Sequence, residues 1–340
     1  MTKSRNVFVD VIREQLQRIG LVPTVSVADV EDALRVASRR AADLFLDRQL
    51  LHAARRHLTF FVICCLALST GCTSNAQETS TPSTPTGQSA ATTARQPATI
   101  HYADGDSQFA RLGVPPGMGP HKVVVLIHGG FWRSDYSLDL MDPLAIDLNS
   151  RGYATWNIEY RRVGEAGGGF PGTLVDVAAA VDHLASVAER YRLDLSAVTF
   201  VGHSSGGHLA MWAASRDAIA PGRPGAEPRV VPHLAIGLGP VFDLEAGAAE
   251  GLGNAAVTNF IGGPVEDYPV EFADASPSLG STTPLVVVRG VDDDIVPRRF
   301  TEPSKPTPPG RVRFIDVPGD HFALIDPASI AWKATVDLIK

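Results

Sequence analysis

Residues 197–208, AVTFVGHSSGGH, decide how this chain folds. The run Ala197–Val201 is short, apolar and partly β-branched, which predicts a buried strand. Residues 207–214 are predicted to lie in a helix. A chain that turns so sharply from strand to helix forces Ser204, at the middle of the turn, into a strained conformation and requires small residues beside it. The Ser204 hydroxyl is then held at the end of the strand, beside the positive end of the helix dipole.

Strands and helices alternate on both sides of this turn, over residues 99–340. The predicted strands are Lys122–Ile127, Tyr153–Glu159, Ala197–Val201, His233–Leu238, Pro284–Arg289 and Arg311–Val317. The predicted helices are Leu138–Ser150, Leu174–Arg190, Ser205–Arg216 and Ile325–Leu338. The Gly/Pro-rich residues 218–232 are predicted to form a loop. This order predicts an α/β fold, with a mostly parallel central sheet covered by helices on both faces.

An upstream segment, residues 55–72, has the order of a signal peptide. Basic residues at 55–57 precede the apolar run Leu58–Leu68, which is too short for a membrane span of about 20 residues. Residues 68–72 resemble a bacterial lipobox, although Ser69 stands where a larger apolar residue is usual. We expect Cys72 to be lipidated and to anchor an exported protein to the outer face of the cell membrane. A plain secretory signal and a short buried helix are the alternatives.

This signal-like segment does not lie at the start of the chain. Residues 1–54 have helical spacing and form either a cytoplasmic extension or a stretch upstream of a true start near residue 50. We favour the second interpretation, because export signals act from an N-terminus. Residues 73–98 are rich in Ser, Thr, Pro, Gln and Ala, and are expected to form a flexible tether before the domain at 99–340.

The composition narrows the classes of function. With 340 residues, the chain is long enough to bury a sizeable core. Its net charge of −7 gives no support for a nucleic-acid partner. All 3 cysteines, Cys64, Cys65 and Cys72, lie in the signal-like segment, which excludes a disulfide framework for the rest of the chain. No histidine pair has ligand-like spacing with acidic support, so no metal site is expected.

A serine at such a turn becomes a nucleophile only if a base removes its proton and an acid orients that base. In sheets of this kind the acid and then a histidine follow the serine along the chain, each just after a strand. His321 follows the last predicted strand and is the candidate base. Asp292, Asp293 and Asp294 follow the preceding strand. We choose Asp293 for its place in the loop 290–297, while the sequence leaves its two neighbours open.

The charge that develops in such a reaction needs backbone N–H donors. One donor is the amide of Ser205, directly after the nucleophile. A second is expected in the loop HGGFW, residues 128–132, which follows an early strand. Gly129 and Gly130 let the backbone approach a substrate without side-chain obstruction. Phe131 and Trp132 are candidate substrate contacts in the same loop.

Together, HGGFW at 128–132 and GHSSGGHLA at 202–210 resemble the α/β-hydrolase superfamily, in its esterase and lipase branch with an HGG oxyanion loop. The two motifs are similar to those of kynurenine formamidases and of feruloyl and acetylxylan esterase-like (BD-FAE-like) bacterial hydrolases. The resemblance covers residues 99–340. A tyrosine is usual in the formamidase motif where Phe131 stands, and Ser205 replaces a common alanine.

The resemblance implies an α/β-hydrolase fold and hydrolysis of a carboxylic ester or amide without a cofactor. We therefore expect a serine hydrolase that cleaves small esters through an acyl-enzyme, with the triad Ser204, Asp293 and His321. An arylformamidase acting on a formamide is the nearest alternative. A catalytically silent lipoprotein of the same fold is a third possibility.

Overall fold

A computed structural model describes residues 96–304 and 307–339 of the chain. The predictions for residues 1–54, for the signal-like segment with Cys72 and for most of the tether lie outside the described residues. Within the described residues, the first strand begins at Ala98. In these two ranges, no helix is both long and apolar enough to cross a membrane.

Eight strands of the described residues form one sheet, in the order β1-β2-β4-β3-β5-β6-β7-β8. They are β1 (Ala98–His101), β2 (Phe109–Gly113), β3 (His121–Ile127), β4 (Ala154–Ile158), β5 (Leu193–His203), β6 (Leu234–Leu238), β7 (Leu285–Gly290) and β8 (Val312–Val317). The β1–β2 and β2–β4 pairs are antiparallel, and all neighbours from β4 to β8 are parallel. The predicted mostly parallel sheet is confirmed.

Helices cover both faces of this sheet. They are α1 (Asp142–Ser150), α2 (Gly172–Tyr191), α3 (Ser205–Ala214), α4 (Leu244–Ala249), α5 (Leu252–Ile261), α6 (Pro269–Ala275), α7 (Arg298–Thr301) and α8 (Ile330–Ile339). One face shares a hydrophobic cluster with α2, α3, α5 and α6, and the other face shares a second cluster with α1 and α8. Strand β3 contributes side chains to both clusters: Val123 and Val125 belong to the first cluster and Val124 to the second.

The structure corrects several boundaries and adds elements. The predicted strands correspond to β3 through β8, whereas β1, β2 and the helices α4 to α7 were not predicted. A helix start at Ile325 is wrong, since α8 begins at Ile330 after a 3₁₀ turn. Pro327 disfavours a helical conformation at the residue before it. Ser329 Oγ then accepts the Trp332 N–H at 2.8 Å and caps the new helix.

Candidate active site

Ser204 lies at the sharp turn between β5 and α3. Its backbone has φ 57° and ψ −124°, a strained conformation for a residue with a side chain. The turn depends on the glycines beside it. A Cβ at Gly202 would overlap the carbonyl oxygen of Gly206, and a Cβ at Gly206 would overlap the carbonyl oxygens of Ile127 and His128. The residues of the G-x-S-x-G pattern therefore form the strained turn that the pattern predicts.

Asp293 and His321 form a hydrogen-bonded pair. The Asp293 Oδ2 and His321 Nδ1 atoms are 2.6 Å apart, and each side chain is only 4% exposed. The other Asp293 oxygen, Oδ1, accepts the backbone N–H groups of Ile295 at 3.0 Å and Val296 at 2.9 Å. The carboxylate is thus fixed at both oxygens, and the histidine is oriented through Nδ1.

The end of β6 connects this pair to the nucleophile. The backbone N–H of Ser204 donates to the Leu238 carbonyl at 2.8 Å. The next residue, Gly239, has φ 53° and packs against the pair. A Cβ there would lie 2.9 Å from Asp293 Oδ2 and 3.1 Å from His321 Nδ1. Sequence reasoning missed Gly239, although a Gly-Pro pair directly after a buried central strand was a usable signal.

The HGGFW loop lies against the nucleophile. A Cβ at Gly129 would be 2.9 Å from Ser204 Cβ and 2.6 Å from the His203 carbonyl oxygen. Gly130, Phe131 and Trp132 all have positive φ, at 111°, 54° and 57°. Three successive residues with positive φ form a tight, strained turn that brings the backbone close to Ser204.

Two sets of backbone contacts hold the strained turn. The Trp132 N–H donates to Ser205 Oγ at 3.2 Å, so the residue after the nucleophile binds the loop through its side chain. On the other side, the Val163 N–H donates to the Trp132 carbonyl at 2.8 Å. Ser205 is fully buried and its own amide begins α3. The two predicted sources of oxyanion donors, Ser205 and the glycine loop, are therefore directly connected.

His128, at the start of the loop, is anchored by buried polar groups. Its Nε2 lies 2.8 Å from Glu159 Oε1 and its Nδ1 lies 2.8 Å from the Gly129 carbonyl oxygen. The Tyr160 ring stacks on the imidazole at 4.3 Å, and its hydroxyl donates to the His128 carbonyl at 2.7 Å. Burial, followed by the Glu159 carboxylate, raises the pKa of the Tyr160 hydroxyl. Glu159 and Tyr160 therefore hold His128 and the start of the glycine loop in place.

The two aromatic residues of the loop have different surroundings. Trp132 is fully buried, and its ring stacks on Phe260 at 4.7 Å. Phe131 is half-buried beneath the backbone of Gly253, where a Cβ would overlap the phenyl ring. Arg133 lies over the Phe131 ring at 5.7 Å and donates to the Asn254 carbonyl at 3.2 Å. The predicted contact of Phe131 and Trp132 with substrate stays a prediction.

A family comparison agrees with the fold and the motifs. The model of the family BD-FAE matches residues 114–303, which is more than half of the chain. The chain belongs to the BD-FAE family. The match includes the glycine loop, Ser204 and Asp293, and it ends before His321. As a BD-FAE family member the protein is an esterase-type α/β-hydrolase, as the sequence motifs predict.

Solved structures share the fold of this BD-FAE family member. A bifunctional GH43-CE protein of Bacteroides eggerthii is 24% identical with a TM-score of 0.57, over 71% of this chain and 37% of that one. This chain therefore spans well under half of that bifunctional protein. A truncated carbohydrate esterase from gut microbiota is 19% identical with a TM-score of 0.58, over 74% of this chain and 97% of that one.

A third similar structure is an acetyl ester-xyloside bifunctional hydrolase from Caldicellulosiruptor lactoaceticus. It is 17% identical with a TM-score of 0.55, over 73% of this chain and 96% of that one. At these identities the solved structures establish the α/β-hydrolase fold and nothing finer. No curated protein sequence matches the chain.

Proposed function

We propose that this protein is a serine hydrolase that cleaves small carboxylic esters through an acyl-enzyme. The observation that carries the proposal is the 2.6 Å hydrogen bond between Asp293 and His321. The pair follows β7 and β8, at the same carboxyl ends of the parallel strands where the strained turn after β5 carries Ser204. Membership of an esterase-type family supports ester hydrolysis as the reaction. Family membership does not identify the alcohol or the acyl group of the ester, so both are part of the proposal.

In the proposed reaction, Ser204 Oγ attacks the ester carbonyl carbon while His321 Nε2 takes the hydroxyl proton. Asp293 holds the Nδ1–H tautomer of His321 and stabilises the imidazolium that forms. The carbonyl electrons move to the oxygen, and the N–H of Ser205 and an amide of the Gly129–Gly130 loop bind this oxyanion.

Collapse of the tetrahedral intermediate re-forms the carbonyl and breaks the bond to the alcohol oxygen. His321 then gives its proton to the departing alcohol, and the acyl group stays on Ser204. Water repeats the same steps, with His321 first as base and then as acid, and releases the carboxylic acid. Each proton taken from the hydroxyl or from water is returned, so the enzyme ends in its starting state.

The support for a small acyl group comes from solved structures of the same fold. Two of the solved structures of the same fold are named as a carbohydrate esterase and an acetyl ester-xyloside hydrolase. We therefore expect the shortest acyl groups to be cleaved fastest.

The experiment combines active-site labelling with a substrate panel. Wild-type protein is expected to react with a fluorophosphonate probe and to hydrolyse p-nitrophenyl acetate faster than longer esters. Ser204→Ala is expected to lose labelling and about 10³-fold or more in kcat. Ser196→Ala is the matched control, because Ser196 is exposed at the other end of β5 and its hydroxyl donates to Asp194.

Two results would contradict the proposal. An unlabelled wild-type protein would remove the serine mechanism. Activity on N-formylkynurenine with none on any ester would instead identify the arylformamidase alternative. The same two assays therefore separate the proposed reaction from both of its rivals.

We also propose that Cys72 carries a lipid that anchors the exported protein to the outer face of the cell membrane. The support is the order of residues 55–72, with basic, apolar and small residues before the cysteine. In a bacterial host fed an alkyne fatty acid, a chain that starts near residue 50 is expected to become labelled and its Cys72→Ala variant to lose the label. Cys65→Ala, a cysteine within the apolar run, serves as control. Equal labelling of Cys72→Ala would contradict the anchor.

A further inference from the structure

His203 stands directly before the nucleophile and its side chain contacts the base. The ring is buried, and its Nε2 lies 3.0 Å from the backbone carbonyl oxygen of His321. The two imidazole centroids are 4.4 Å apart at an angle of 46°. Consecutive residues at the end of β5 therefore carry the Ser204 hydroxyl and a contact to the main chain of His321.

The partner of Nε2 defines the tautomer of His203. A carbonyl oxygen only accepts, so Nε2 carries the proton and donates to His321. Nδ1 of the neutral ring then has a lone pair, and this atom is buried without a hydrogen-bond partner in the described part of the chain. Its side of the ring faces the glycine loop, where a Cβ at Gly129 would lie 3.2 Å from Nδ1.

The His203 ring thus fills the space between the glycine loop and the loop of the base. The ring of Phe322, the residue after His321, also lies near His203, with the two ring centroids 6.2 Å apart. Burial, and then the nearby His321, hold the pKa of the His203 ring well below its usual range. A neutral ring at this distance leaves His321 free to become the imidazolium during the reaction.

We propose that His203 is a positioning residue that holds the main chain of His321 at a set distance from Ser204 through its Nε2–H donor. The proposal rests on the proposed function, since His321 is there the catalytic base. The base is otherwise held through Nδ1 by Asp293, which fixes the rotation of the ring, whereas His203 fixes the loop that carries it. Two contacts on different parts of His321 define its position more tightly than one.

If His203 only fills space, its substitutions should have different effects from those expected if it positions His321. His203→Phe keeps an aromatic ring and removes the donor. His203→Gln places an amide N–H near the original Nε2 position and keeps the donor on a smaller side chain. His208 offers the matched control, because it is equally buried, flanks the same turn and donates from Nε2 to the Ala275 carbonyl at 2.7 Å.

The measurements are kcat and KM on p-nitrophenyl acetate, the rate of fluorophosphonate labelling, and the melting temperature of each variant. His203→Phe is expected to lower kcat and the labelling rate by about 10- to 100-fold with KM within about twofold, the size of effect that a misplaced catalytic group produces. His203→Gln is expected to recover most of the rate. His208→Phe and His208→Gln are expected to change the melting temperature without this pattern in kcat.

The proposal is overturned if His203→Phe keeps kcat within about twofold of wild type, or if the Phe and Gln variants lose rate equally and in step with their melting temperatures. If His203→Phe does not fold, His203→Asn takes its place, since its shorter amide cannot reach the His321 carbonyl. An Asn variant as fast as the Gln variant then overturns the proposal. An inactive, unlabelled wild-type protein would instead be a failure of the proposed function.

Discussion

At the scale of single residues, the three adjacent aspartates after β7 show how much the contacts of a carboxylate matter. Asp292 and Asp294 are exposed, whereas the Asp293 side chain is buried against His321. Asp293 accepts one hydrogen bond from the imidazole at Oδ2 and two backbone N–H bonds at Oδ1. The sequence narrowed the acid to this loop, and only the contacts distinguish the three side chains.

These contacts predict a difference between three nearly identical substitutions. Asp293→Asn is expected to lower kcat by about 10³- to 10⁴-fold, because the amide no longer holds the Nδ1–H tautomer or stabilises the imidazolium. Asp292→Asn and Asp294→Asn are expected to stay within about threefold of wild type, since both are solvated. Steady-state kinetics on p-nitrophenyl acetate measures all three. A loss at Asp292 or Asp294 as large as that at Asp293 would refute the assignment.

At the scale of elements, the sequence predicts best where local pattern and tertiary environment agree. Strands β3, β6 and β7, and the second half of β5, are nearly continuous apolar runs because both faces of the sheet are covered there. The turn at Ser204 was predictable for a similar reason, because its glycines are required by backbone contacts within the turn itself. In each case the residues whose pattern predicts the element also make the contacts that stabilise it.

Prediction failed for elements that depend on distant partners. Strands β1 and β2 are short and mix polar with apolar residues, and they are strands because β2 pairs with the edge of β4. The helices between β6 and β7 are likewise short. Phe260 of α5 packs against Trp132 of the glycine loop, across more than a hundred residues of sequence. The local pattern of apolar residues in α5 cannot predict that contact.

The same limit applies to the candidate site. Its nucleophile, base and oxyanion loop follow strand ends, so their order along the chain indicates where they meet. The contact from His203 to the His321 backbone has no such signal, because it depends on how the loop after β8 turns back across β6. Sequence reasoning could not detect the contact of His203 with His321.

At the scale of the whole domain, burial of neutral histidines makes stability depend on pH. His208 is enclosed by Trp132, Phe260 and the end of α6. Burial lowers the pKa of its ring from 6.5 to about 4, although the hydrogen bond to the Ala275 carbonyl acts in the opposite direction. Burial lowers the pKa of His203 in the same sense. The folded protein therefore binds protons at these sites less readily than the unfolded chain.

The direction of the pH effect follows from this difference. Well above pH 6.5 both states hold a neutral His208, so the residue contributes almost nothing to the pH dependence there. As the pH falls from 6.5 towards 4, the unfolded chain takes up a proton that the folded domain does not, and the free energy of unfolding decreases. For His208 alone this decrease is about 2 kcal/mol between about pH 7 and pH 5.

His208→Gln isolates that contribution, because the amide keeps a donor for the Ala275 carbonyl and cannot titrate. The free energy of unfolding, measured by urea denaturation at pH 7 and pH 5, is expected to fall by about 2 kcal/mol less in the variant than in the wild type. All other titrating groups are common to the two proteins and cancel in this difference, whatever the variant costs at neutral pH. Equal decreases in the two proteins would mean that His208 titrates normally in the folded domain, and that its burial does not set the acid sensitivity of the fold.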